Sequence, residues 1–159
     1  MPQIGIAPPN SAESVVPTRV VQPVISGSNA IGISNGTYGV VTNYGTIGVT
    51  GVGGTAVQMS GDFSTLLNAG TINAAPGGYA IQTDATAMGS IVVNNGIING
   101  LVSIAAGSYA RFENSGWLGN SAAGAGATHQ ISGTFVQTAA GTMGMRVSPT
   151  AADRLLVGG

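Results

Sequence analysis

Five short segments of this 159-residue chain echo one another, and that recurrence constrains the fold more than any other feature. Asn43-Tyr-Gly-Thr-Ile47, Asn68-Ala-Gly-Thr-Ile72, Asn94-Asn-Gly-Ile-Ile98 and Asn114-Ser-Gly-Trp-Leu118 share one pattern, and Ala139-Ala-Gly-Thr-Met143 keeps it without the asparagine. Their glycines, Gly45, Gly70, Gly96, Gly116 and Gly141, are spaced by 25, 26, 20 and 25 residues. Two residues after each stands an apolar side chain: Ile47, Ile72, Ile98, Leu118 and Met143. Four before come Val41, Leu66, Val92, Phe112 and Gln137, apolar in four of five. A second arm recurs as Gly54-Thr-Ala-Val-Gln58 and Gly78-Tyr-Ala-Ile-Gln82, with looser echoes at Ile104 and Ile131.

The composition decides what each repeat is made of. Glycine fills 27 positions and the apolar content of 43% comes mostly from Val, Ile and Ala. Interior glycine costs a helix about 1 kcal/mol per position, and β-branched residues lose rotamer freedom there, so the units are strands and turns. One unit cannot stand alone. About six buried aliphatics contribute ~1.5–3 kcal/mol each, whereas fixing about 24 residues costs ~1–2 kcal/mol each. Neighbours above and below must complete the interior, which is the logic of a solenoid. The expected fold is therefore all-β: a right-handed parallel β-helix of about four to five coils with C-terminal capping strands. Ile47, Ile72, Ile98, Leu118 and Met143 form one inner stack, and Val41, Leu66, Val92 and Phe112 another. Asn43, Asn68, Asn94 and Asn114 align as an amide ladder at a corner, and the glycine two residues on takes the positive φ of a tight turn. The rival architecture is an antiparallel sandwich with hairpins at Asn35-Gly36 and Asn95-Gly96. Hairpins predict turn signals every 8–12 residues, and the strongest echo here returns near 25.

Residues 1–24 read as a separate, extended lead-in, since Pro2, Pro8, Pro9, Pro17 and Pro23 are five of the seven prolines and block helix and central strand alike. Residues 25–132 hold the coils, and 133–159 a capping segment. The lead-in has no basic n-region or continuous apolar run, so it does not read as a signal peptide.

Charge excludes several functions. Charged residues are 6% of the chain, against roughly 25% in a typical soluble domain, and the net charge is −1. The four cations are Arg19, Arg111, Arg146 and Arg154, too few and too scattered to neutralise a nucleic-acid backbone. Mean hydropathy of +0.35 argues against disorder, and zero cysteines exclude thiol chemistry.

Chemical motifs are sparse. Gly32-Ile-Ser34-Asn-Gly36 matches a nucleophile elbow, but strand-like Thr37-Tyr-Gly-Val-Val41 follows where a helix is required. The single histidine, His129, follows the small-residue run 121–128 and reads as a surface loop residue. Asp62 and Asp84 stand 22 residues apart, near the coil period, and could form a carboxylate pair on one side of the coil. Neither Gly53-Gly54 nor Gly77-Gly78 continues into a calcium nonapeptide. Arg111 and Glu113 flank Phe112 and should pair outward. Asn35-Gly-Thr37 is a formal glycosylation sequon. Trp117 should face outward under a neighbouring loop, and with Tyr38, Tyr44, Tyr79 and Tyr109 it makes a candidate adhesive face for a glycan or host surface. No cofactor is implied.

The Asn-x-Gly-Thr-Ile repeats resemble the passenger regions of bacterial autotransporters, which are secreted by the type V route. The C-terminal stretch Gly133-Thr-Phe135-Val-Gln137, Gly141-Thr-Met143, then Asp153-Arg-Leu155-Leu-Val157-Gly158 is similar to the end of a pertactin-like passenger, with Met143 where leucine is usual. The resemblance spans about residues 30–159. It implies a non-catalytic segment at the cell surface, a rigid stalk whose last coils act as a folding template, and as partner a C-terminal membrane β-barrel of the same polypeptide. No such barrel lies within these 159 residues, so the sequence reads as a fragment of a passenger. A carbohydrate-active enzyme fragment on the same coil is the remaining alternative.

Overall fold

In the computed structural model, residues 31–104, 109–120 and 124–158 are described in full, with the backbone of 13–15, 18–21 and 24–27. The chain winds as a right-handed parallel β-helix, and no helix occurs among the described residues. A leading turn holds β1 (Glu13–Val15), β2 (Thr18–Val21) and β3 (Val24–Gly27). Five turns follow. They comprise β4 (Ile31–Asn35), β5 (Val40–Asn43) and β6 (Thr46–Val49), then β7 (Thr55–Met59), β8 (Thr65–Asn68) and β9 (Thr71–Asn73). Next come β10 (Tyr79–Thr83), β11 (Ile91–Asn94) and β12 (Ile97–Asn99), then β13 (Leu101–Ile104), β14 (Arg111–Asn114) and β15 (Trp117–Gly119). The fifth turn is β16 (Thr128–Ile131), β17 (Thr134–Gln137) and β18 (Thr142–Met143), and β19 (Arg154–Val157) ends the winding.

Every turn gives one strand to each of three parallel sheets, ordered β1-β4-β7-β10-β13-β16-β19, β2-β5-β8-β11-β14-β17 and β3-β6-β9-β12-β15-β18 along the axis. Registry is vertical. In the third sheet Ile47 pairs with Ile72, Ile72 with Ile98, Ile98 with Leu118 and Leu118 with Met143. In the second, Val41, Leu66, Val92, Phe112 and Phe135 stack in order. In the first, Ile33, Val57, Ile81 and Val102 do the same. Apart from Phe135 and Met143, which are only partly buried near the end, these side chains are fully buried. Each burial contributes about 1.5–3 kcal/mol. The Phe112 and Phe135 rings stack at 5.8 Å. At a strand spacing of ~4.8 Å, alternate residues from three sheets fill the narrow interior, and the short strands leave room only for corners.

Four expectations are corrected. The sheets begin inside the segment expected to be a separate lead-in, because β1 pairs with β4 and β2 with β5. Pro2, Pro8, Pro9, Pro17 and Pro23 lie outside the described residues.

The repeat glycines do not supply positive φ. That conformation belongs to Gly53, Gly77, Gly89, Gly100 and Gly126. Gly70, Gly96 and Gly116 are required because adjacent turns touch there: a Cβ would lie 2.0–2.1 Å from the carbonyl oxygen of Gly45, Gly70 or Gly96 respectively. At Gly141 it would meet the Asn114 carbonyl at 2.2 Å.

Gln137 does not belong to the apolar column. Phe135 pairs with Phe112, and Gln137 pairs with Asn114, because the last corner before Gly141 is two residues longer than its counterparts. The fourth correction concerns His129 and is described with the site.

The short spacing of 20 has a local origin. Between the third and first sheets the chain takes five residues after Val49 and after Asn73, but only Gly100 after Asn99. Gly100 adopts φ 146°, and a Cβ there would lie 2.7 Å from the Ala74 Cβ. The register of β10 against β13 shifts by one between Tyr79 and Ile81 to absorb the shortened path, a bulge that keeps the inward columns aligned.

Candidate functional site

The corner between the second and third sheets carries a directional amide ladder. Asn43 Nδ2 donates to Asn68 Oδ1 at 2.7 Å, Asn68 to Asn94 at 2.8 Å, Asn94 to Asn114 at 2.8 Å, and Asn114 to Gln137 Oε1 at 3.0 Å. The second amide proton of each asparagine reaches a corner carbonyl: Thr71, Ile97, Trp117 and Thr142, at 3.0–3.2 Å. The four asparagines are at most 1% exposed. A buried amide is tolerated only when its donors and acceptors are occupied, and this geometry occupies them by repetition. All bonds point the same way along the axis, so the dipoles add. Gln137 joins the ladder because its longer side chain spans to the same register position. The sequence signal was its place two residues after Phe135.

The C-terminal turn is closed by one carboxylate. Asp153 Oδ1 accepts from the backbone N–H of Gly126 and Ala127, both at 2.9 Å. Its Oδ2 accepts from the Arg146 N–H at 3.0 Å and Nε at 2.8 Å, and Arg146 Nη2 reaches Oδ1 at 3.3 Å. The Arg146 guanidinium, with the backbone donors, holds the Asp153 carboxyl well below the usual carboxylate range against the opposing effect of desolvation. Arg146 and Asp153 are joined again through the antiparallel bridge Val147–Ala152. Nothing in a spacing of seven marks this pair in the sequence.

His129 is not on the surface. Strand β16 points it inward with no exposure, next to Val102 and paired with Leu155, in the inner column that Ile33, Val57 and Ile81 begin. Its Nδ1 accepts from the Val102 N–H at 3.3 Å, and its Nε2 has no hydrogen-bond partner among the described residues. Burial pushes its pKa down; Asp153 opposes the shift and Arg146 adds to it. The small residues that precede it suggest a loop, but the strand starts at Thr128.

The remaining candidates are placed as follows. Ser34 lies on β4 with its hydroxyl 3.1 Å from Ser60, and a turn and strand follow it. Asp62 Oδ1 accepts from the Met88 N–H at 2.8 Å, and Asp84 accepts from Gln58. The two carboxylates lie at the same corner in adjacent turns, each bonded to a different partner. Among the described residues no three acidic, histidine or cysteine side chains cluster to hold a metal. Arg111 and Glu113 form an outward ion pair at 2.7 Å. Trp117 lies flat over Gly119 and Gly144, where a Cβ would collide with its ring at 2.7 Å. Its indole N–H donates to Asn99 Oδ1 at 3.2 Å, and Asn99 donates on to Asn73.

Among the tyrosines, Tyr38, Tyr44 and Tyr109 are well exposed and Tyr79 is half-buried. Tyr38 stacks on Phe63 at 5.6 Å, and both residues have positive φ. Compared with known proteins, the chain matches no family model, no curated protein and no solved structure.

Proposed function

We propose that this chain is a non-catalytic structural segment of a bacterial autotransporter passenger, serving at the cell surface as a rigid stalk and folding template. Its partner is then a membrane β-barrel in the same polypeptide. The observation that carries the reading is the uninterrupted amide ladder from Asn43 to Gln137, which runs into a last turn fastened by Arg146 and Asp153. A stack whose bonds all join nearest neighbours grows one turn at a time on a finished end. The fastened turn is suited to be that end, because it holds its own backbone donors before any further turn is added.

The experiment places the chain behind a secretion leader and ahead of an outer-membrane barrel, and scores surface display by protease accessibility on intact cells. Deletion of 133–159 should abolish protease-resistant display, and Asp153→Ala should reduce it. Equal, protease-resistant display by the deletion variant would overturn the template role.

A further inference from the structure

We infer that the notch between Tyr44 and Asn95, on the corner above the amide ladder, binds a neutral pyranose. Tyr44, Ala69 and Asn95 separate the first three ladder asparagines from their glycines in successive turns. The ladder beneath fixes all three, through Asn43–Asn68 at 2.7 Å and Asn68–Asn94 at 2.8 Å. Tyr44 and Asn95 therefore stand two strand spacings apart, roughly 10 Å, with only the Ala69 methyl between them. The resulting open cavity of about 250 Å³ is lined by Thr42, Tyr44, Leu67, Asn68, Ala69 and Asn95.

The chemistry of the lining selects the ligand. Tyr44 offers an aromatic ring 61% exposed, and Leu67, 38% exposed, offers an aliphatic floor. The Tyr44 and Thr42 hydroxyls and the Asn95 amide stand around them, and none of these side chains is engaged elsewhere among the described residues. None of the lining residues is charged. A sugar ring has an apolar C–H face and a rim of hydroxyls that both donate and accept, which matches one aromatic face edged by an amide and two hydroxyls. An anionic sugar or a phosphate would need a cation in the lining. A lipid chain would need a deeper apolar cavity. The scaffold is pre-organised, since the amide ladder holds the notch open whether or not a ligand is present. This site is independent of the stalk reading and fails or stands without it.

The test is a titration of the full chain with methyl glucoside, methyl galactoside, methyl mannoside and methyl N-acetylglucosaminide, with sialyllactose as the anionic comparison, read by backbone amide NMR. At least one neutral glycoside should shift the amides of Ala69, Gly70 and Asn95. Tyr44→Ala should weaken that binding ~tenfold or more, about 1.4 kcal/mol. Ala69→Leu, a change at an exposed position, should fill the notch and abolish binding while the unfolding midpoint stays unchanged. Three results would each overturn the site: no shift at these amides with any neutral glycoside at millimolar concentration, equal binding by both variants, or a preference for sialyllactose.

Discussion

Replacing Asn94 by alanine in the middle of the ladder should destabilise the chain by about 4 kcal/mol, a large share of the roughly 5–15 kcal/mol that holds a domain folded. Asn94 donates to Asn114 Oδ1 and the Trp117 carbonyl, and it accepts from Asn68 Nδ2 and, at 3.3 Å, from the Gly96 N–H. Not all of these partners are stranded by alanine. The Gly96 N–H keeps the Asn68 carbonyl at 3.0 Å, and Asn68 Nδ2 keeps the Ile97 carbonyl at 3.2 Å. Left without partners are Asn114 Oδ1 and one Asn68 amide proton, both buried, at ~1–3 kcal/mol each, and the Trp117 carbonyl loses its Asn94 donor.

Urea unfolding followed by far-ultraviolet circular dichroism gives the stability from midpoint and slope. Asn95→Ala, one residue away and exposed, should change it by less than about 0.5 kcal/mol. A broken interface in a nearest-neighbour stack should also split the transition, with the turns on either side melting separately. A single unbroken transition with Asn94→Ala within 1 kcal/mol or so of the parent would show that the ladder is ornamental to stability.

Three further outcomes follow from the geometry. Gly96→Ala places a methyl 2.1 Å from the Gly70 carbonyl and should cost about 3 kcal/mol. Gly53→Ala, at φ 72° with open space around it, should cost only about 1 kcal/mol; equal losses in thermal melts would refute the steric reading of the repeat glycines. His129 has its pKa lowered by burial, so the unfolded chain binds a proton that the folded chain refuses. Stability should be full above the unfolded histidine value of about 6.5 and fall as pH drops from there towards the folded value. His129→Leu should flatten that slope, measured by urea midpoints between pH 7 and pH 5 or so. Asp153→Asn should cost about 3 kcal/mol and expose the β19 amides first in hydrogen exchange. Because the Asp153 pKa is depressed, its contribution is present above the ordinary carboxyl range and lost as pH falls towards the folded value.

The vertical registry was legible because it is written in identity: the same residue types return at the same offset from a glycine, and only stacking makes such an offset useful. The ladder was legible for the same reason. Where the structure departs from the sequence reading, one residue type had two physical uses. Glycine serves both positive φ and close approach, and the repeat glycines serve the second. Gln137 was counted from Gly141, across a corner that had grown by two, so its column came out wrong by one inward position. His129 was hidden because its neighbours Thr128 and Gln130 resemble the loop before them, and alternation over four residues is too short to read. The Asp153 clasp was invisible, since its partners at 126, 127 and 146 share no spacing.

The bend at Gly100 joins two sheets with a single residue where the two preceding turns spend five and the next spends eight, yet the columns on either side stay in line. Connecting length is thus decoupled from the stack along that edge. Such an edge is a natural splice point: segments can be gained or trimmed there without re-tuning what lies inside, so a lineage built on this spiral can diversify its exterior while its shaft is inherited unaltered.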